Sequence, residues 1–150
     1  MKWVNELGIG PFFLTDYTPG TFENITYRGE PSDLSMKVAI AQAGNVQIEL
    51  IEPTTDQCAY RDSVPEGQMA FHHMCVWTLD FEADLKYMEG LDYAAANTGK
   101  VGDVEFAYFD TRPLMGCMLE VVTKNEGTVA RFENIAETAR YWDGKDPIRQ

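Results

Sequence analysis

Positively charged residues are scarce in this sequence. The chain has 12 lysines and arginines against 24 aspartates and glutamates, which gives a formal net charge of -12 at pH 7. A field of this sign repels a phosphate backbone, so the composition argues against nucleic acid as a partner. The same field disfavours any polyanionic ligand unless arginine or lysine side chains gather around it.

Long apolar runs are missing as well. No window approaches the roughly 18 uninterrupted apolar residues that a membrane span needs. The opening MKWVNELG lacks the apolar core of a signal peptide. We therefore expect a cytoplasmic protein with no membrane partner. At 150 residues and 45% hydrophobic content, the chain should fold as a single domain.

Cysteine is too sparse to organise the fold. Cys58, Cys75 and Cys117 are odd in number and show no CxxC spacing. Neither a disulfide framework nor a thiolate zinc site is indicated, so free thiols are expected.

The sequence also has no phosphate-binding glycine loop, GxSxG elbow or HExxH helix. It therefore lacks the minimum parts of a P-loop enzyme, a serine hydrolase of the GxSxG type or a zincin.

What the sequence does contain is a succession of strand patterns with a few helices. The apolar and aromatic periodicity predicts strands at FFLTDY (12–17), TFENITYRG (21–29), SMKVAIAQ (35–42), VQIELIEP (46–53), AFHHMCVWTL (70–79), VEFAYFDT (104–111) and CMLEVVTK (117–124). Helices are expected over residues 1–7, after Asp80 with an apolar stripe of Phe81, Leu85 and Met88, and over the C-terminal stretch from Val129 to Trp142. Residues 90–102 are expected to be mainly a loop, because glycine bounds them on both sides.

The two histidines of the chain are adjacent, at the head of an apolar strand. Strand alternation predicts that His72 and His73 point to opposite faces.

Glu49 and Glu120 each lie between aliphatic residues on a strand that ends one half of the chain. Burial of a bare carboxylate at such a position costs on the order of several kcal/mol.

These residue types favour a metal site, although other readings stay open. One imidazole and two carboxylates converging in a sheet suit Mn, Co, Ni, Zn or Mg, with coordination positions left for water or substrate. A single histidine on an apolar strand is also often a hydrogen-bonded core residue, and a glutamate can face water at a sheet edge. The two carboxylates can equally work as acid and base.

Four segments together resemble the vicinal oxygen chelate superfamily, which includes glyoxalase I, bleomycin-resistance proteins, methylmalonyl-CoA epimerase and extradiol dioxygenases. They are LGIGPFF, VQIELIEP, FHHMCVWTLDFEADLKYM and GCMLEVV. The resemblance implies an α+β fold of two βαβββ modules forming a cup-shaped mixed sheet, with an extra C-terminal helix. The expected parts are a first module that lacks its first strand (1–53), a linker (54–67), a second module (68–124) and a helix with a tail (125–150).

The resemblance also implies roles for individual residues. By position, Glu49, His73 and Glu120 match metal ligands, Glu120 matches the catalytic acid or base, and His72 matches a neighbour that does not bind metal. An open sheet edge in the first module predicts a homodimer.

Two functions follow from the resemblance, and both stay open at this point. The first is a metal-dependent lyase, isomerase or epimerase that moves a proton and stabilises an enolate of a small oxygen-chelating substrate. The second is a non-catalytic module, similar to bleomycin-resistance proteins, that binds a small apolar or aromatic molecule. In either case the expected substrate or ligand contacts are Phe13, Trp77, Phe106 and Tyr108.

Overall fold

A computed structural model describes residues 2–150, which form ten strands, four α-helices and one 3-10 turn. The strands are β1 (Phe12–Tyr17), β2 (Glu23–Tyr27), β3 (Glu30–Pro31), β4 (Met36–Ala43), β5 (Val46–Pro53), β6 (His73–Thr78), β7 (Ala95–Val101), β8 (Val104–Phe109), β9 (Met118–Thr123) and β10 (Ile148–Arg149). The helices are α1 (Lys2–Leu7), α2 (Phe81–Gly90), α3 (Arg112–Met115) and α4 (Glu126–Arg140), and the 3-10 turn is Ala59–Asp62. Within the described range, no helix is long and apolar enough to cross a membrane. Residue 1 of the predicted first helix lies outside that range.

The first of two compact units contains residues 2–17, 36–54 and 126–150. Its sheet has the strand order β10-β1-β4-β5. The hairpin of β4 and β5 pairs without a register shift and turns at Gly44, which adopts a φ of 62°. Met36, Val38 and Ile40 are buried on one face of β4, which confirms the predicted alternation.

The C-terminal helix belongs to this first unit. The predicted amphipathic segment forms α4, which packs against β4 and buries Ile135. Beyond the helix, the Trp142 ring lies on the backbone of Gly10. A Cβ atom on Gly10 would lie 2.7 Å from that ring, so the contact requires glycine at this position.

The second unit contains residues 18–35 and 55–125. Its sheet has the strand order β3-β2-β7-β8-β9-β6, in which only β6 and β9 are parallel. The predicted helix after Asp80 is confirmed as α2, and the Asp80 carboxylate caps it by accepting a hydrogen bond of 3.1 Å from the Ala83 N–H. Met88 of α2 packs into a buried cluster that includes Phe109.

The prediction of a loop over residues 90–102 was wrong, because residues Ala95–Val101 form β7. The sequence AANTGKV has little intrinsic preference for a strand. The strand forms because it pairs on one side with β2 and on the other with β8. Gly99 permits close packing here, since a Cβ atom at this position would lie 2.8 Å from both Ile25 and Phe106. Pairing with β2 and β8 therefore outweighs the low strand propensity of residues 95–101.

Candidate functional site

His73 and Glu120 come together on one face of the second unit's sheet. β6 runs parallel to β9, with His73 opposite Met118 and Cys75 opposite Glu120. Because residues two apart in a strand share a face, His73 and Glu120 project from the same side. His73 Nε2 lies 3.4 Å from Glu120 Oε2, and the two side chains are only 9% and 10% exposed.

Aromatic side chains surround this pair. Tyr108 of β8 lies opposite Glu120 and is 2% exposed. Its ring centroid is 5.2 Å from that of His73 and 6.0 Å from that of Phe106. The Tyr108 hydroxyl shares a hydrogen bond of 2.8 Å with the hydroxyl of Tyr60. In such a buried environment, polar interactions are stronger than they are in water.

His72 contacts His73 directly instead of pointing away from it. Its Nε2 lies 3.0 Å from the Ala59 carbonyl oxygen, and its Nδ1 lies 3.1 Å from Nδ1 of His73. The prediction that the two rings occupy opposite faces was wrong, because β6 begins at His73 and His72 precedes the alternating strand. Burial lowers the pKa of the His72 imidazole, so this ring is neutral at pH 7.

Two residues near the site were missed by the sequence analysis. Tyr60 is buried in the 3-10 turn Ala59–Asp62, within the segment expected to be a linker. The apolar Cys-Ala-Tyr triplet at 58–60 is the signal that this segment packs against the sheet. Asn97 of β7 is fully buried, and its side chain accepts a hydrogen bond from the Ala59 N–H and donates one of 2.6 Å to the Thr26 carbonyl. The residue pattern of 90–102 did not indicate that Asn97 would be buried.

None of the three cysteines forms a disulfide bond within the described residues. Cys58 and Cys117 are buried, and Cys75 is exposed. Burial raises the pKa of the Cys58 thiol, which keeps it protonated at pH 7.

The remaining predicted site residues occupy several strands. Glu49 lies on β5 of the first unit and is exposed. It is opposite Ile40 of β4, which is in turn opposite Phe13 of β1. Phe13 is partly buried on β1. Trp77 lies on β6 and is 40% exposed. Within the second unit, the structure brings together His73, Phe106, Tyr108 and Glu120, whose roles stay predictions.

The facing atoms of His73 and Glu120 define what this site can do. An imidazole nitrogen and a carboxylate oxygen at this separation attract either a shared proton or a cation. Both groups are ligands for divalent transition metals, and a carboxylate is also a base. The residues present therefore fit both metal binding and proton transfer.

Comparison with known proteins gives a consistent family and fold. The family model of the Glyoxalase/Bleomycin resistance protein/Dioxygenase superfamily matches residues 1–108. A solved structure of a hypothetical protein from Bacillus halodurans C-125 has 18% sequence identity and a TM-score of 0.52, and the match covers 83% of each chain. A methylmalonyl-CoA epimerase solved with methylmalonyl-CoA and NH4+ has 16% identity and a TM-score of 0.43, over 73% of this chain and 78% of its own. No curated protein matches. The predicted α+β, glyoxalase-like fold is confirmed.

Proposed function

Because the chain belongs to the Glyoxalase/Bleomycin resistance protein/Dioxygenase superfamily, we propose that it is a metal-dependent enzyme. It acts as a lyase, isomerase or epimerase by proton transfer and enolate stabilisation on a small oxygen-chelating substrate. The observation that carries the proposal is the 3.4 Å approach of a histidine nitrogen and a glutamate oxygen on a buried, aromatic face. We also propose a cytoplasmic location, and three cysteines that form no disulfide within the described residues support it.

Three side chains are proposed to hold the metal: Glu49, His73 and Glu120. Two carboxylates and one imidazole suit Mn, Co, Ni, Zn or Mg, and leave positions for substrate oxygens. When bound, such a metal supplies positive charge that stabilises the oxyanion of an enolate. This ligand set contains no thiolate. The buried Cys58 agrees with it, because burial raises the pKa of its thiol and keeps the thiol protonated.

The chain's own residues supply the proton transfer and the substrate contacts. Glu120 takes the proton from the carbon next to a substrate carbonyl, and the electron pair of that C–H bond passes to the carbonyl oxygen. The proton then returns from the carboxyl group to carbon. Phe106 and Tyr108, next to Glu120, are proposed to exclude water from the reacting atoms, together with Phe13 and Trp77.

The metal proposal predicts that Glu49→Gln lowers affinity for Mn, Co, Ni or Zn by about 10- to 100-fold, because the amide keeps one oxygen but loses the charge. Metal content per chain after chelation and reconstitution, together with calorimetric titration, measures the effect. Glu52→Gln is the matched control, since Glu52 lies on the same strand and is exposed. Equal affinity of the two variants would remove Glu49 from the ligand set. Absence of tight metal in the wild type would overturn the metal proposal as a whole.

A non-catalytic ligand-binding module is the second candidate function. The buried aromatic rings of Tyr60, Phe106 and Tyr108 favour it, because they offer apolar contact area next to a few polar groups. A small molecule that copurifies with metal-free protein, and that is not turned over, would select this candidate over the enzyme.

We also propose that the protein is a homodimer, with its interface at β6 of the second unit and not at the open edge that was expected in the first module. This strand is at one edge of the second unit's sheet, and Met74 and Val76 on it are exposed. An apolar edge strand of this kind favours association with a second copy.

Dimer formation is expected to weaken about tenfold or more in Met74→Glu, because a carboxylate would be buried or placed against its symmetry mate. Sedimentation equilibrium over a concentration series measures the dissociation constant. Tyr87→Glu on α2 is the control, since it adds the same charge at another exposed apolar residue. A wild type that stays monomeric at high micromolar concentration contradicts the proposal.

A further inference from the structure

The contacts of His72 determine which of its ring nitrogens carries a proton. His72 Nε2 lies 3.0 Å from the carbonyl oxygen of Ala59. A carbonyl oxygen only accepts hydrogen bonds, so Nε2 must be protonated and must donate. Above the usual imidazole pKa the ring is neutral and has a single N–H, and in His72 this proton is accordingly on Nε2.

The proton on His73 follows from this assignment. The two Nδ1 atoms are 3.1 Å apart, which leaves room for one proton between them. Because the single proton of His72 is on Nε2, its Nδ1 carries a lone pair and accepts. His73 Nδ1 is therefore the donor, and the proton on His73 lies on the side away from Glu120.

We infer that His72 is a positioning residue, which holds His73 with its proton on Nδ1 and its Nε2 lone pair directed toward Glu120 as the metal-binding atom. This inference rests on the proposed metal site. A hydrogen bond to one ring nitrogen of a histidine decides which nitrogen binds metal and fixes the orientation of the ring.

The support for His72 extends into the buried backbone. The Ala59 carbonyl accepts from His72, while the Ala59 N–H donates to Asn97. Asn97 in turn donates to the Thr26 carbonyl. The orientation of the metal-binding ring is therefore coupled, through hydrogen bonds, to two strands of the second unit.

Nitrogen NMR on the metal-free protein of residues 1–150 tests the proton assignment directly. Labelling with 15N-histidine gives two spin systems, because the chain has two histidines, and His72→Phe identifies which is which. At about pH 8.5, above the usual imidazole pKa, long-range 1H–15N correlations distinguish the two neutral tautomers and the imidazolium. The expected spectrum shows Nε2–H for His72 and Nδ1–H for His73. An Nε2–H form of His73 overturns the inference.

A pair of variants separates positioning from a merely structural role. His72→Asn and His72→Phe both lose the contact with Ala59, but the asparagine Oδ1 can replace Nδ1 as acceptor for His73, and phenylalanine cannot. We expect His73 to keep the Nδ1–H form in His72→Asn and to lose it in His72→Phe. Affinity for Zn or Co should fall about 10- to 100-fold in the phenylalanine variant, and much less in the asparagine variant. Equal losses in the two variants contradict the inference.

The failure of this inference is distinguishable from failure of the metal proposal. Tight metal binding together with an Nε2–H form of His73 overturns the positioning role alone. An Nδ1–H form of His73 in a wild type that binds no metal supports the proton assignment and overturns the metal site. If His72→Phe does not fold, the wild-type and His72→Asn spectra still decide the tautomer.

Discussion

Replacement of Asn97 with alanine is expected to lower the free energy of unfolding by about 2–5 kcal/mol. The Asn97 side chain is fully buried and bridges the Ala59 N–H to the Thr26 carbonyl. Alanine leaves both backbone groups without this partner, and an unsatisfied buried polar group costs about 1–3 kcal/mol. Urea denaturation followed by circular dichroism measures the loss.

Asn134→Ala is the control for this prediction. Asn134 is exposed on α4, so its replacement by a better helix former should leave stability unchanged within about 0.5 kcal/mol or raise it slightly. A loss of less than about 1 kcal/mol in Asn97→Ala would mean that water or a shift of the 3-10 turn satisfies the two backbone groups.

The elements that were predicted correctly are those whose local pattern agrees with their tertiary environment. The hairpin of β4 and β5 has alternating apolar residues on either side of a Gly-Asn turn, and the apolar pattern and the turn specify the same register. α2 has both a capping aspartate and an apolar stripe at helical spacing. In each case two independent signals point to the same structure.

Long-range pairing explains the elements that were missed. β7 consists of residues with low strand preference, and its formation depends on β2, which is about 70 residues earlier in the chain. No local pattern reports such a partner. The burial of Tyr60 has the same cause, because a short turn in a polar segment gains its apolar contacts from distant strands.

The candidate site was predictable in its residue types but not in its detail. His73 and Glu120 were chosen because polar residues in apolar strands need partners, and the parallel pairing of β6 with β9 supplies that partnership. The role of His72 depends on where β6 begins, to within one residue. Strand boundaries are the least certain part of any pattern analysis, which is why the histidine pair was assigned to opposite faces.

The proposed mechanism leads to the second large expected effect, in Glu120→Gln. Glutamine keeps the shape of the side chain and one oxygen, but it cannot take a proton from carbon. We therefore expect proton exchange between substrate and solvent to slow by about 100- to 10,000-fold. Deuterium incorporation from D2O, followed by proton NMR over a panel of small oxo-acids and thioesters, measures the rate.

Metal saturation and a matched variant isolate the proton-transfer role of Glu120. The loss of a carboxylate also weakens metal binding, so both proteins are compared at saturating metal, where reduced affinity no longer limits the rate. Glu105→Gln is the control, because Glu105 lies on neighbouring β8 one residue before Phe106 and therefore faces away from Glu120. Exchange that is unchanged in Glu120→Gln assigns the proton transfer to another group. A wild type that binds metal but exchanges no proton in any member of the panel favours the ligand-binding module, since a metal without a working base orients a ligand but does not turn it over.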